Sequence, residues 1–558
     1  MAADDRPDPY AVASSPDHAF WADAAAAVVD DERDPDEPVV VKGGVSPSGV
    51  PHLGHANEIL RCHYVAEALR DRGYEVRQVF TADDRDRLRA VPRQLANLDS
   101  EIVGLGEVDA GALGRNLGKP YTDVPDPFGC CESYGAHFTT LLADAAADLG
   151  VDLDVVSNTD LYESGDFDDA VRTVLTRADR AREVLAHYQD KVDDDYVPFF
   201  AVCGECGRLT EAITGVDLET ETVDYVCTDS EADGDTIEGC GHEGTATFRE
   251  GKLPWRFEWP AQWQVLDVDF EPFGKDHAEG SWPSGVEIAR EVFEIEPPVP
   301  MVYEWFTLEG EALSSSSGNV VTVAELLELV EPAVLRYFFA KEPLKQRDFS
   351  VAAIDRLVDE FDRLERVALG TADDGTAGDD ERAFAERVYP MLVDEVRPER
   401  VRIPYTFAAV LGMTDDPALR EEIARKEGHV PEDAPPWAVE EALARVERAR
   451  RWARRTDNEF NYELQRAEQP ALDLDADTAA ALDELAAFVA GEDADEPPDG
   501  EAIQGEIYEV AKRHDVPVGD FFATGYRLFF DDDEGPQLGT FLGKLDRDFV
   551  VARLRRER

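Results

Sequence analysis

Lysine is scarce in this chain: 10 of 558 residues, beside 45 arginines. Basic residues as a whole are outnumbered, 55 against 121 acidic ones, for a formal charge of −66 and an isoelectric point near 4.3. That balance excludes non-specific nucleic-acid binding through a basic face. No apolar run reaches the ~18 residues that a membrane span requires, so no membrane partner is expected. The opening MAADDRPDPY has neither the basic start nor the apolar stretch of a secretion signal, which predicts a cytoplasmic protein. Only seven cysteines occur, and a cytoplasmic setting argues against a disulfide framework.

What is present is enough to fold. Hydrophobic residues make up 43% of the chain, and its length suits about three or four domains. The acid excess runs through every segment and does not form one tail. A dispersed carboxylate surface fits a protein kept soluble in multimolar salt, where a Debye length of roughly 3 Å screens self-repulsion.

Val39-Val40-Val41 reads as a strand, ended by Gly43-Gly44 and the loop Ser46-Pro47-Ser48-Gly49. Ile59, Leu60, Val65, Ala66 and Leu69 then recur at helical spacing, and Gly73 supplies a stop. Residues 75–80 alternate as a second strand. Strand, helix, strand predicts a βαβ unit and a parallel sheet. Polar, cysteine-bearing sequence occupies 197–250, and apolar helical periodicity dominates after about 350. The expected organisation is a catalytic α/β domain over 1–196 and 251–350, a cysteine-rich insertion over 197–250, and an all-helical region over 351–558.

The richest chemistry lies in the first strand-to-helix turn, from Ser46 to His55. Free backbone N–H groups and the helix dipole there favour phosphate. His52 and His55, with Gly54 between them, can approach a triphosphate and donate hydrogen bonds to it. Pro47, Ser48 and Gly49 complete this phosphate loop.

The run resembles the HIGH signature of class I aminoacyl-tRNA synthetases. Their second signature, a KMSKS-like loop, corresponds to Leu313, Ser314, Ser315, Ser316, Ser317, Gly318 and Asn319. Ala312 and Ser315 stand where that pattern carries lysines, so Mg²⁺, the histidines or Lys275 are the candidate replacements for the missing charge. Within the class, Lys252 to Trp255, Glu271 to His277, Ala82 to Arg89, Asp123 to Cys130 and Glu534 to Gly539 resemble the class I lysyl-tRNA synthetases. The resemblance implies a Rossmann-like domain, ATP with Mg²⁺, L-lysine and tRNA(Lys) as substrates, and helix-cage anticodon binding. It further implies that Gly44, Ser46, Trp255, His277 and Tyr303 line the lysine and adenylate site. A buried ammonium needs a carboxylate, and Asp83, Asp84 or Asp86 after the second strand are expected to supply it. Glutamyl-tRNA synthetase, a non-tRNA adenylyltransferase of the same superfamily and a non-catalytic paralogue are the alternatives.

Cys203-Gly-Glu-Cys206-Gly, followed by Cys227 and Cys240-Gly-His242, fits a structural Zn²⁺ site. Cys240 is the expected fourth ligand and His242 the alternative. A redox Cys-x-x-Cys lacks a thioredoxin-like setting here.

Overall fold

The computed structural model describes residues 7–32, 38–189, 192–232, 235–312, 320–372, 377–466, 470–491 and 498–557. Two compact units emerge. One comprises residues 1–326, 332–350 and 370–394, and the other comprises 327–331, 351–369 and 395–558.

The first unit is built on the expected parallel sheet. Its strands are β1 (Val39–Val45), β2 (Val76–Ala82), β3 (Asp154–Ser157), β4 (Phe270–Gly274) and β5 (Val299–Tyr303), in the order β5-β4-β1-β2-β3. Every neighbouring pair is parallel. The chain winds outward from β1 through β2 and β3, then returns to β4 on the other side of β1. The strand order therefore reverses between β1 and β4, and a crevice opens beyond their C-terminal ends. Continuous Val-rich burial in β1 fits a strand covered on both faces.

Helix α1 (Leu53–Asp71) follows β1 and buries Leu53, Ile59, Leu60, Val65 and Leu69. Helix α2 is Tyr134–Asp148, and α3, from Trp255 to Leu266, buries Trp259 and Trp263. These indoles pack with Phe273 and Trp282 beneath the crevice. The cysteine-bearing insertion forms short antiparallel sheets, including Ile213–Asp217, Thr222–Val226 and Glu243–Thr247. Helix Asp379–Leu392, which its sequence groups with the helical region, packs in this first unit instead. There Arg387 pairs with Asp23 and Asp71, each at 2.7 Å.

Among its described residues, the second unit is helical. Its centre is α4 (Pro436–Thr456), which packs against Tyr405–Leu411. Arg445 of α4 is buried between Glu331 and Asp362, at 2.7 Å from each. No helix among the described residues is long and apolar enough to cross a membrane.

Candidate active site

The β1/β4 crevice deepens into a cavity of about 490 Å³. Strand ends supply Lys42, Gly44, Glu271, Gly274 and Tyr303, while α1 supplies Gly54, His55, Asn57 and Glu58. Trp255 and Trp259 of α3 form one apolar wall, their rings stacked at 5.5 Å. Glycine is required at two of these positions. A Cβ on Gly44 would meet Thr81 Oγ1 at 2.3 Å, and one on Gly54 would meet the His52 ring at 2.6 Å.

His52 caps α1. Its Nδ1 accepts from the Gly54 N–H at 3.0 Å, and its own N–H donates to His55 Nδ1 at 3.0 Å. The two rings stack at 4.2 Å. With both Nδ1 atoms accepting, the neutral rings carry their protons on Nε2. Burial pushes His52 down to about 4. Burial, then the neighbouring His52, pushes His55 well below the usual range. At neutral pH the pair therefore offers two uncharged N–H donors at a helix N-terminus. Pro47, Ser48 and Gly49 form the preceding turn, where the Ser48 carbonyl accepts from the Tyr134 hydroxyl at 2.7 Å.

Glu58 lies one and a half turns into α1. One carboxylate oxygen accepts from the Gly44 N–H and the other from the Tyr303 hydroxyl, both at 3.0 Å. Burial raises its carboxyl to about 7, although both hydrogen bonds pull the other way. The group is a half-buried carboxylate without a full counterion, facing a cavity walled by aromatic rings.

The remaining sequence-predicted residues divide. Gly44, Trp255, His277 and Tyr303 line the cavity as expected, with His277 tilted against Trp259 at 5.6 Å. Ser46 is not in the wall. Asp83 and Asp84 do not face the cavity, which corrects their expected placement opposite an ammonium. Asp83 accepts from Asn158 at 2.8 Å and Gln262 at 3.0 Å, and Asp84 accepts from Ser157 at 2.6 Å and the Thr159 N–H at 2.8 Å. Both lie beyond β2, one strand away from the β1/β4 crevice, so the topology turns them elsewhere. Asp86 pairs with Lys252. Lys275 is held by Glu304 at 2.5 Å and lies outside the wall. The signature loop from Leu313 to Asn319 falls outside the described residues.

The insertion brings four thiols together. Cys203 and Cys240 have their sulfurs 3.6 Å apart, as do Cys206 and Cys227. Four thiolates around Zn²⁺ at ~2.3 Å stand at nearly that separation, so the set fits a tetrahedral ion. Cys240 completes the cluster and His242 is not part of it.

A family model described as class I tRNA synthetases (K) matches residues 19–392. The lysine–tRNA ligase of Haloarcula marismortui is 69% identical, covering 98% of this chain and 99% of its own. That of Pyrococcus horikoshii is 34% identical over 96% of this chain and 99% of its own. The chain belongs to the class I lysyl-tRNA synthetase family. Among solved structures, a glutamate tRNA ligase from Elizabethkingia meningosepticum aligns over 93% of this chain and 99% of that one. Its identity is 12% and its TM-score 0.39, too low to argue from.

Sequence reasoning missed two features of this synthetase. One is Glu58, whose partners Gly44 and Tyr303 lie on β1 and β5, so no pattern within α1 marks it. The second is a group of Asp126, Cys130, Cys131 and His137, whose ligand atoms all lie within 4.8 Å of one another. His137 Nε2 faces the Ala96 carbonyl at 2.8 Å, which leaves Nδ1 as a lone pair, 3.4 Å from Cys130 Sγ. A backbone acceptor behind an imidazole is the usual orientation of a metal-ligating histidine.

Proposed function

We propose that this chain ligates L-lysine to tRNA(Lys) in the cytoplasm, with ATP as the activating substrate. The observation that carries this reading is Glu58, an ionisable carboxylate at one end of an aromatic-walled cavity that also holds the His52–His55 pair. A lysyl side chain suits that end. Its methylenes pack against Trp255, and its ammonium replaces the counterion that Glu58 lacks. The Tyr303 hydroxyl and Gly44 N–H hold the Glu58 carboxylate in place for it.

ATP phosphates suit the N-terminus of α1, one helical turn from Glu58, where His52 and His55 offer two Nε2–H donors. The lysine α-carboxylate attacks the α-phosphorus in line. Its oxygen–phosphorus bond forms as the bond to pyrophosphate breaks, giving lysyl-adenylate. A ribose hydroxyl of the terminal adenosine of tRNA then attacks the carbonyl and releases AMP; the class resemblance assigns the 2′-OH. The chain contributes mainly position and fixed donors for developing charge. Mg²⁺ would accompany ATP and offset its charge. Cys203, Cys206, Cys227 and Cys240 would hold a structural Zn²⁺ that crosslinks the polar insertion. Asp126, Cys130, Cys131 and His137 are suited to a second ion of the same kind.

The test is amino-acid-dependent ATP–pyrophosphate exchange in high-KCl buffer, followed by capture of aminoacylated tRNA on filters. Lysine-dependent exchange and lysyl-tRNA are expected. Glutamate-dependent exchange sinks the proposal, and exchange without lysyl-tRNA points to a small-molecule adenylyltransferase.

A further inference from the structure

The cavity proposed to receive an ammonium already contains one. Lys42 of β1 lines it, and a Cβ on Gly44 would lie 3.5 Å from Lys42 Nζ. The Gly44 N–H is also the donor that holds Glu58. A fixed cation so close to the Glu58 carboxylate should repel a cationic substrate and attract an anionic one.

Glu271 prevents this. Strands β1 and β4 run parallel with Val41 opposite Phe270, which brings Lys42 and Glu271 side by side. Lys42 Nζ lies 2.6 Å from Glu271 Oε1, with side chains only 1% and 5% exposed. Trp259 Nε1 donates to the same oxygen at 3.0 Å, and Trp263 Nε1 donates to Oε2 at 2.5 Å. Three donors thus fix the carboxylate on the lysine. The same tryptophans belong to the apolar layer under the cavity, so the mask is built into its floor.

We propose that Glu271 is a specificity-determining residue, which sets the charge preference of the cavity by neutralising Lys42 and leaving the Glu58 and Asp276 carboxylates as its net charge. The inference rests on the reading of lysine as substrate. Glu271 is a positioning residue in this account and touches no reacting atom. Removing its charge sets Lys42 against Glu58, so the cavity should lose affinity for a cation while admitting an anion more readily.

The experiment compares three amino acids of similar length as ligands. These are lysine, its uncharged 6-hydroxy isostere and the anionic 2-aminoadipate, read by intrinsic tryptophan fluorescence and by inhibition of lysine-dependent exchange. In E271Q, lysine is expected to bind roughly 30- to 100-fold more weakly, the size of one unit-charge repulsion across several ångströms at an effective dielectric of about 20. The hydroxy isostere should change by less than about threefold, and 2-aminoadipate should bind more tightly, by about tenfold. The KM for ATP should not move. A parallel loss for all three ligands, or no change in their order, overturns the proposal.

K42M gives an independent test that leaves Glu271 in place. It should keep or sharpen the preference for lysine and weaken 2-aminoadipate. A gain of 2-aminoadipate binding in K42M also overturns the proposal, even if E271Q fails to fold. If the unaltered protein shows no lysine-dependent exchange, the substrate reading fails; if it does and E271Q leaves the order unchanged, only the role of Glu271 fails.

Discussion

Glu58 and Glu331 are the same amino acid, each half-buried in one of the two units, and their environments drive them in opposite directions. Burial raises Glu58 to about 7, because its partners are a backbone N–H and a phenol. Burial acts on Glu331 too, but Arg445 and then Arg402 outweigh it and bring the carboxyl down to about 2. Arg445 is shared with Asp362, and Arg402 also reaches Glu365 at 2.8 Å. The helical unit buries charges in mutually compensating sets, which stabilises the folded chain. The cavity keeps a charge uncompensated, a destabilising arrangement that leaves a place for a ligand. Counterions, more than burial, separate a structural carboxylate from a candidate binding one.

The largest effect should come from breaking the compensated set. Arg445→Ala leaves Glu331 and Asp362 facing each other without their cation and should cost about 3–5 kcal/mol, measured by denaturant unfolding in multimolar KCl. At the cavity, His55→Ala should lower kcat for pyrophosphate exchange by about 10²–10³-fold, as expected for loss of one preorganised donor. Its circular dichroism in KCl should be unchanged. The comparison breaks if Arg445→Ala is neutral or if His55→Ala unfolds the chain.

Glu58→Gln should raise the KM for lysine by about 10–100-fold, while the KM for ATP stays within about threefold. The pH dependence has opposite signs at the two sites. A carboxyl raised to about 7 in the folded state binds its proton more tightly there than in the unfolded chain. Stability therefore falls as pH rises from about 4.5 towards 7, and Glu58→Gln should remove that slope and stabilise the ligand-free chain above pH 7. Since only the ionised form attracts an ammonium, the KM for lysine should also fall as pH rises through about 7. The stabilisation from Glu331, with its carboxyl near 2, is fully present above about pH 4.5 and is lost as pH drops through about 2.

The smallest effects on activity are expected at the cysteine clusters, which lie outside the cavity wall. Metal analysis should find two ions per chain, one removed by Cys203→Ser and the other by Cys130→Ser. One ion in the unaltered protein would restrict metal binding to a single cluster.

The sequence made the catalytic architecture legible where local pattern and chemistry coincide. A β-branched run, a glycine-rich turn and a helical period announce β1, the turn after it and α1. The Cys-x-x-Cys spacing announces the first thiol cluster. The side chains of Asp83 and Asp84 were misplaced because following a strand does not specify which crevice a side chain faces. Strand order decides that, and β2 is not at the reversal. Glu58 and the Asp126–His137 group were missed because their partners come from other elements: Gly44 and Tyr303 for one, the Ala96 carbonyl for the other.

By itself, then, the sequence determined the class of fold, the glycine-rich strand-to-helix turn, the thiol cluster and a strongly acidic composition. These depend on residues that are neighbours along the chain, or on composition. Tertiary structure decided which carboxylates face the cavity, which lysine is masked, and which buried charges have partners. Those properties depend on β4 returning beside β1 and on distances of 2.6–3.0 Å between residues as many as 245 positions apart. The scarcity of lysine sharpens the point. Among the described residues, one lysine lines the cavity, and a neighbouring strand holds its charge in check.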